Sequence, residues 1–177
     1  MTAMMNSAQR DYHVRAATPD DAVALARIYG PYVRDSIVTF EEVPPTPADM
    51  AQRLQMTLDA SLPWLVAERG GEVRGFAHAS RWKGRCAYRF AVEVTVYVEQ
   101  GYAGLGIGSL LYGRLLPQLR DGGMHTALAG IALPNPASIA LHEKFGFRKV
   151  AHFRQVGFKF GRWIDVGYWQ LMLEQPD

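Results

Sequence analysis

The sequence has one cysteine, Cys86, in 177 residues. An intramolecular disulfide is therefore excluded, and so is a cysteine-rich zinc site. The five histidines, His13, His78, His125, His142 and His152, form no His-x-x-x-His pair, so no metal centre is expected. Long apolar runs are missing too: none approaches the ~20 residues that a bilayer crossing needs. Met1 to Asp11 is polar and has no apolar signal core, so it reads as a loose tail. No membrane partner is expected, and the location expected is cytoplasmic. Charge of one sign is also lacking. Nineteen Lys and Arg against seventeen Asp and Glu leave a net +2, too mild to suggest nucleic-acid binding. There is no internal repeat and no low-complexity segment.

What is present is an ordinary globular composition, 49% apolar and 20% charged. The length suits one domain, over residues 12–177 behind a flexible tail at 1–11. Tyr12 to Ala16 alternates as a short strand. Thr18-Pro19-Asp20-Asp21 and Thr46-Pro47-Ala48-Asp49 are two helix starts, each with a capping threonine, a proline in the first turn and acids for the dipole. Val23, Ala24, Ile28 and Val33 give the first helix its apolar face. The second runs to about Ala60. Ser36 to Pro45, between them, is irregular, with Phe40 its largest apolar side chain. Trp64 to Glu68 and Val73 to Ser80 form a hairpin about Gly70-Gly71. Trp82 to Tyr88 is a polar loop. Phe90 to Val98 is the richest β segment, with Val92, Val94, Val96 and Val98 alternating with Glu93, Thr95 and Tyr97.

The period then changes. Ile107, Leu110, Leu111 and Leu115 make a helical stripe, in which Pro117 predicts a kink or an early end. His125 to Leu133 reads as a strand and Pro136 to Lys144 as a short helix before Gly146. Phe147 to Val156 and Asp165 to Leu173 are two more strands, joined through Gly157 to Gly161. The order is β-α-α-β-β-β-α-β-α-β-β, a single-domain mixed α/β fold with a central sheet flanked by helices.

A strand that runs into Gly104-x-Gly106-x-Gly108 and then a helix builds an anion site. The first N–H groups of a helix have no internal partner, and its dipole is positive there. Glycines let the backbone come close to a pyrophosphate. A P-loop needs Gly-Lys-Ser/Thr, but Gly108 is followed directly by Ser109. A Rossmann fingerprint would need glycine where Ser109 stands. A pyrophosphate of another kind is indicated.

Strand, Gly-x-Gly-x-Gly, helix, then Leu133-Pro134-Asn135 and Leu141-His142-Glu143-Lys144-Phe145-Gly146-Phe147 resemble the acetyl-CoA-binding core of the GCN5-related N-acetyltransferases. Trp64-Leu65-Val66-Ala67-Glu68, Trp82-Lys83, Val92-Glu93-x-Thr95-Val96-Tyr97-Val98 and Asp165-Val166-Gly167-Tyr168-Trp169-Gln170 narrow the resemblance to phosphinothricin and methionine sulfoximine N-acetyltransferases. It runs from about Tyr12 to Leu173. The resemblance implies a sheet that splays after its fourth strand. It implies acetyl-CoA as co-substrate, with no metal, and acetyl transfer to the amine of a small amino acid or analogue by direct attack. The pantetheine arm would lie along Val96, Tyr97 and Val98. The pyrophosphate would sit on Gly104, Leu105, Gly106, Ile107, Gly108 and Ser109, and Asn135 would touch the cofactor arm.

Glu93 matches the family's general base, and His142 the second residue implicated in proton transfer, with Tyr97 and Tyr112 as further possible acids. The Val96 N–H would donate to the oxyanion. Phe40, Arg85 and Tyr88 match substrate-binding positions, and the cationic run Trp82 to Arg89 suits a small anionic amine. Cys86 reads as inert. There are two departures from the pattern. The Gln or Arg that usually opens the glycine motif is Ala103 here, for which Arg114 is a distant compensating cation. Phe160, in Phe160-Gly161-Arg162-Trp163, stands where the herbicide-resistance enzymes carry histidine, and the segment looks like the methionine sulfone and sulfoximine relatives. A peptide or protein N-acetyltransferase and a non-catalytic acetyl-CoA-binding domain are the alternatives. The resemblance also implies a homodimer, with Trp163, Tyr168 and Trp169 as aromatic surface near the C-terminus.

Overall fold

The computed structural model describes residues 11–173; of the expected tail only Asp11 falls within them, ion-paired to Arg69 at 3.1 Å. The strands are β1 (His13–Ala16), β2 (Trp64–Arg69), β3 (Glu72–Arg81), β4 (Ala91–Val98), β5 (Thr126–Ala132), β6 (Arg148–Lys159) and β7 (Arg162–Met172). The helices are α1 (Ala22–Asp35), α2 (Pro47–Asp59), α3 (Ile107–Asp121) and α4 (Pro136–Lys144). They follow the expected order and form one seven-stranded sheet, β1-β2-β3-β4-β5-β7-β6.

Local chemistry sets the helix starts. Thr46 Oγ1 accepts from the Asp49 N–H at 3.2 Å, and the Asp49 carboxylate accepts from the Thr46 N–H at 2.7 Å, closing a capping box on α2. At the first start the chain makes a single 3-10 turn, Pro19–Asp21, before α1 begins. Asp21 is buried there and takes the Thr18 N–H at 2.8 Å and a two-pronged bond from Arg15, also at 2.8 Å. The buried face of α1 also differs from the expected one. Val23 is exposed, and Leu25 joins Ile28 and Val33 inside.

The sheet is covered on both faces. Leu111, Tyr112, Leu115 and Leu119 of α3 pack on Leu65, Ala77, Val92 and Ala127. Leu25, Ile28, Met50 and Leu54 of α1 and α2 pack on Trp64, Val66 and Phe76 on the other side. Pro117 does not end α3, which continues to Asp121. A mid-helix proline costs about 3 kcal/mol, whereas burying a leucine yields about 1.5–3 kcal/mol. Leu115, Leu116 and Leu119 are all buried around it and outweigh it.

Three other expectations are corrected. Gly157 and Lys159 are not loop residues: β6 and β7 stay paired through Gly157↔Ile164 and Lys159↔Arg162. The hairpin turns on Phe160 and Gly161 alone, both at positive φ (52° and 70°). The strand pattern is obscured because the register slips between Phe153 and Gly157. Trp169 is not surface: it is buried, and its Nε1–H donates to Glu143 Oε1 at 3.1 Å. Tyr168 is half-buried, which leaves Trp163 as the exposed member of the three.

Candidate active site

The central strands part in mid-sheet. β4 pairs in parallel with β5 only from Ala91↔Thr126 to Glu93↔Leu128. Beyond Glu93, β4 stays bonded to β3 on its other side as far as Val98. Its β5-facing edge is open from Val94 onward, while β5 stays paired with β7 on its other side from Thr126 to Ala132. A parallel edge of unpaired N–H and C=O groups calls for another extended chain to satisfy it.

Two cavities meet at this gap. The first, of 640 Å³, runs along Val94–Val98, under the turn 102–109 and against α4. Each cofactor-binding residue expected from the sequence lines it: Val96, Tyr97, Val98, Gly104, Leu105, Gly106, Ile107, Gly108, Ser109 and Asn135. Gly104 and Gly106 have φ of 80° and 83°, so the turn needs a residue without a Cβ at both. Gly108 has a different reason, since a Cβ there would stand 3.0 Å from Leu141, and its absence lets α3 and α4 close up. The first α3 N–H bond is Leu110 to Gly106, so the amides of Ile107, Gly108 and Ser109 have no partner one turn back. An anion fits there. Asn135 is also the α4 cap, its Oδ1 accepting from the Ser138 N–H at 3.1 Å.

The second cavity, of 960 Å³, lies on the α1–α2 side and includes Phe40, Tyr97, Tyr168 and Glu93. Its inner wall is apolar, with Trp64 stacked on His78 at 4.0 Å and with Met50, Leu62 and Phe76 beside them. Burial pushes the His78 imidazole down to about 4, so it is neutral at ordinary pH. Arg53 also lines this wall, but it forks the Glu41 carboxylate at 2.7 and 2.9 Å. The mouth carries Arg81, with Lys83 near enough to stabilise a charged Glu93.

Glu93 borders both cavities. Burial raises its pKa above the usual carboxylate value, while the Gly130 backbone amide and the Lys83 charge draw it back. Gly130 makes room for it: a Cβ there would stand 3.2 Å from Glu93 Oε1 and 3.2 Å from the Tyr168 hydroxyl. A half-buried carboxylate with a raised pKa is a better proton acceptor than an exposed one.

His142 is buried on α4. Its Nδ1 lies 2.7 Å from the Ser138 carbonyl, which can only accept, so Nδ1 carries the proton. Nε2 then accepts from the Tyr112 O–H at 2.9 Å. Burial lowers the imidazole pKa and raises that of the Tyr112 phenol, so both groups are held neutral.

Phe40 is brought to the acceptor side, with its ring against Gly157, where a Cβ would come within 2.3 Å. Arg85 caps a 3-10 turn, Cys86–Tyr88, that Tyr88 closes; both are exposed and line neither cavity. Cys86 is a free thiol on the same turn. Sequence reasoning missed Arg81, Ser80, His78, Tyr29 and Thr39 on the acceptor walls. The alternation of β3 holds the signal for His78 and Ser80, which share a face with buried Phe76. Among the described residues no group of three or more His, Cys, Asp or Glu is placed to hold a metal ion, and no helix is long and apolar enough to cross a membrane.

Comparison with known proteins gives a consistent set of relatives. The sequence model of the acetyltransferase (GNAT) family matches residues 24–147. A phosphinothricin N-acetyltransferase of Streptomyces viridochromogenes is 41% identical over 97% of this chain and 93% of its own. An L-methionine sulfoximine/L-methionine sulfone acetyltransferase of Salmonella typhimurium is 36% identical over 92% of this chain and 95% of its own. An acetyltransferase from Salmonella typhimurium, solved with acetyl-CoA, superposes with a TM-score of 0.90 at 33% identity, covering 94% of this chain and 96% of that one.

Proposed function

From the premise that this chain belongs to the GNAT family of acetyltransferases and is an acetyl-CoA-dependent N-acetyltransferase, we propose that its acceptor is a small amino acid or an analogue of the phosphinothricin, methionine sulfoximine or methionine sulfone type. The observation that carries this reading is Glu93, the carboxylate among the residues that line both the donor and the acceptor cavity. The substrates named for the relatives support the acceptor class.

Acetyl-CoA supplies the activated acetyl thioester, and the residues of the first cavity fit it. The open edge of β4 offers main-chain partners for an extended arm, and the α3 turn offers free amides to a diphosphate. The acceptor amine must lose a proton to attack. An α-amino group with pKa near 8 is only about one-tenth neutral at pH 7. We assign the proton to Glu93, directly or through one water. The Val96 N–H is our choice of donor to the carbonyl oxygen as charge develops on it. We assign Arg81 to the acceptor's carboxylate at the cavity mouth and Phe40 to its side chain. The proposal leaves Arg85 and Tyr88 without a part in the cleft of a single protomer.

His142 has a narrower part than direct acid–base work. Its Nε2 is taken by Tyr112, and a second proton on the ring is disfavoured by burial. We assign it the positioning of the Tyr112 hydroxyl at the thiol end of the donor cavity.

The edge hairpin β6–β7 exposes Phe158, Phe160 and Trp163 together, an apolar patch that suits a second copy, so a homodimer is proposed. A free, exposed Cys86 suits a reducing, cytoplasmic setting.

The test is free-thiol release from acetyl-CoA with phosphinothricin, methionine sulfoximine, methionine sulfone and the natural amino acids offered side by side. Turnover on one or more of them is expected. Absence of turnover on all, with acetyl-CoA bound, would replace the small acceptor by a peptide or by a sensing role.

A further inference from the structure

The inner wall of the acceptor cavity holds polar atoms that no other group of the protein meets. Trp64 lies on β2 and His78 directly opposite it on β3, and both line the cavity. Trp64 is only 2% exposed, yet its Nε1–H has no hydrogen-bond partner, and neither does the buried Nδ1 of His78. The two cannot satisfy each other. Their rings stack face to face, 18° from parallel, while ring N–H groups and lone pairs lie in the ring plane. Phe76 extends the stack and offers no polar atom. The Ala79 backbone favours a charged His78 ring, but burial outweighs it and leaves the imidazole neutral. Buried polar groups are normally paired, so two orphans in one wall call for a partner that enters the cavity.

The sheet register sets the spacing. Ser80 stands opposite Glu93 and His78 opposite Thr95, so Glu93, His78 and Trp64 step diagonally across β4, β3 and β2 on one face. Diagonal neighbours on adjacent strands lie about 7–8 Å apart. In an amino acid, an oxygen carried on a sulfur two methylenes beyond the α-carbon is five bonds from the amine nitrogen, about 6 Å when extended. An acceptor with its amine at Glu93 therefore brings such an oxygen to His78 and Trp64. The wall is also without free charge. Arg53 is forked by Glu41, which accepts from the Tyr29 hydroxyl at 2.9 Å as well. An anion placed there would be desolvated beside a cation already paired.

We propose that Trp64 and His78 are specificity-determining residues of the acceptor site, selecting amino acids whose side chain ends in an uncharged sulfone or sulfoximine. The phosphinate anion of phosphinothricin and the bare thioether of methionine are the groups they select against. The Trp64 Nε1–H donates to one sulfur-bound oxygen. His78 Nδ1 donates to the second oxygen of a sulfone, or accepts from the N–H of a sulfoximine, according to its tautomer. A thioether is a weak acceptor and leaves both groups unpaired. This rests on the small-acceptor reading above and narrows it to one branch.

The experiment is calorimetric titration of acceptors into the protein saturated with CoA, which has no acetyl group to transfer. The probes are L-methionine sulfone, L-methionine and L-phosphinothricin. The protein is expected to bind the sulfone about tenfold tighter than either of the others. Trp64→Phe and His78→Phe keep an aromatic ring in the stack and remove the polar atoms. Each is expected to weaken the sulfone about five- to tenfold and to leave methionine unchanged. His78→Asn, which returns an amide near the Nδ1 position, is expected to recover part of the loss. Equal weakening of sulfone and methionine in both variants would place the effect in packing and overturn the proposal. So would a sulfone-to-methionine ratio that neither variant changes, or tighter binding of phosphinothricin than of the sulfone. No binding by any of the three would overturn the small-acceptor reading itself, and this proposal with it.

Discussion

Glu93 sits where burial works against its charge. Its carboxyl pKa is raised by burial, so the folded state holds its proton more tightly than the unfolded chain does. Below the unfolded pKa both states are protonated and the residue costs nothing. As the pH rises past that value the charged form is disfavoured in the fold, and the cost persists above the folded pKa. Glu93→Gln is therefore expected to raise the thermal midpoint at pH 7 and to change it little at pH 3.5, as scanning calorimetry would read. With the amine proton assigned to Glu93, the same raised pKa is expected to set an acidic limb on kcat/KM, falling as the pH drops through it, and that limb should vanish in the variant. In the wall of the donor cavity, His142 and Tyr112 form one hydrogen-bonded unit. Tyr112→Phe and His142→Asn are expected to lower kcat by similar factors, and the double variant by no more than the worse single one. Additive losses would mean that His142 acts on the reactants by itself.

Each cavity is held by a loop tied to a neighbouring element. On the donor side the tie is the backbone of Gly104 and Gly106, both at positive φ. Gly104→Ala is expected to cost about 1 kcal/mol in that conformation and to raise the KM for acetyl-CoA about fivefold, leaving the acceptor KM unchanged. On the acceptor side the segment 36–45 is tied by Lys159, whose buried Nζ donates to the carbonyls of Val33 and Thr39 at 2.7 and 2.8 Å. Tyr29 holds the same segment through the Thr39 hydroxyl at 2.6 Å and Glu41 at 2.9 Å. Phe40 lies between these ties. Lys159→Met is expected to free two carbonyls at a cost of about 1–3 kcal/mol each and to raise the acceptor KM about tenfold, with acetyl-CoA binding intact. Steady-state kinetics with each substrate varied in turn separates the two effects.

At the scale of the whole molecule, the order of elements was legible because hydrophobic period and capping signals agree along most of the chain. The α2 box of Thr46 and Asp49 and the valine alternation of β4 are local, and local signals survive into the fold. What was not legible depends on pairing at a distance. The path of β6 past Gly157 is decided by β7, and the interior place of Trp169 by Glu143 on α4. Pro117 sits in a helix because leucines around it are buried, which no local rule reports. The lining of the first cavity was readable since most of it comes from one strand, one turn and α4. The acceptor site was not, since its walls come from α1, α2, β3, β4 and β7 together. The exposed patch of Phe158, Phe160 and Trp163 carries a prediction at this scale: light scattering is expected to give twice the 19.7 kDa chain mass. Trp163→Glu should shift that mass toward one chain.

The amine proton is assigned to one carboxylate between two cavities, and one paired measurement tests that assignment. Acetyl-CoA affinity by calorimetry and thiol release with the best acceptor are compared for the protein and Glu93→Gln. The expected result is unchanged acetyl-CoA affinity, with turnover reduced by about 10²–10⁴-fold, the range of general-base catalysis. Full turnover in the variant would contradict the assignment of the amine proton to Glu93.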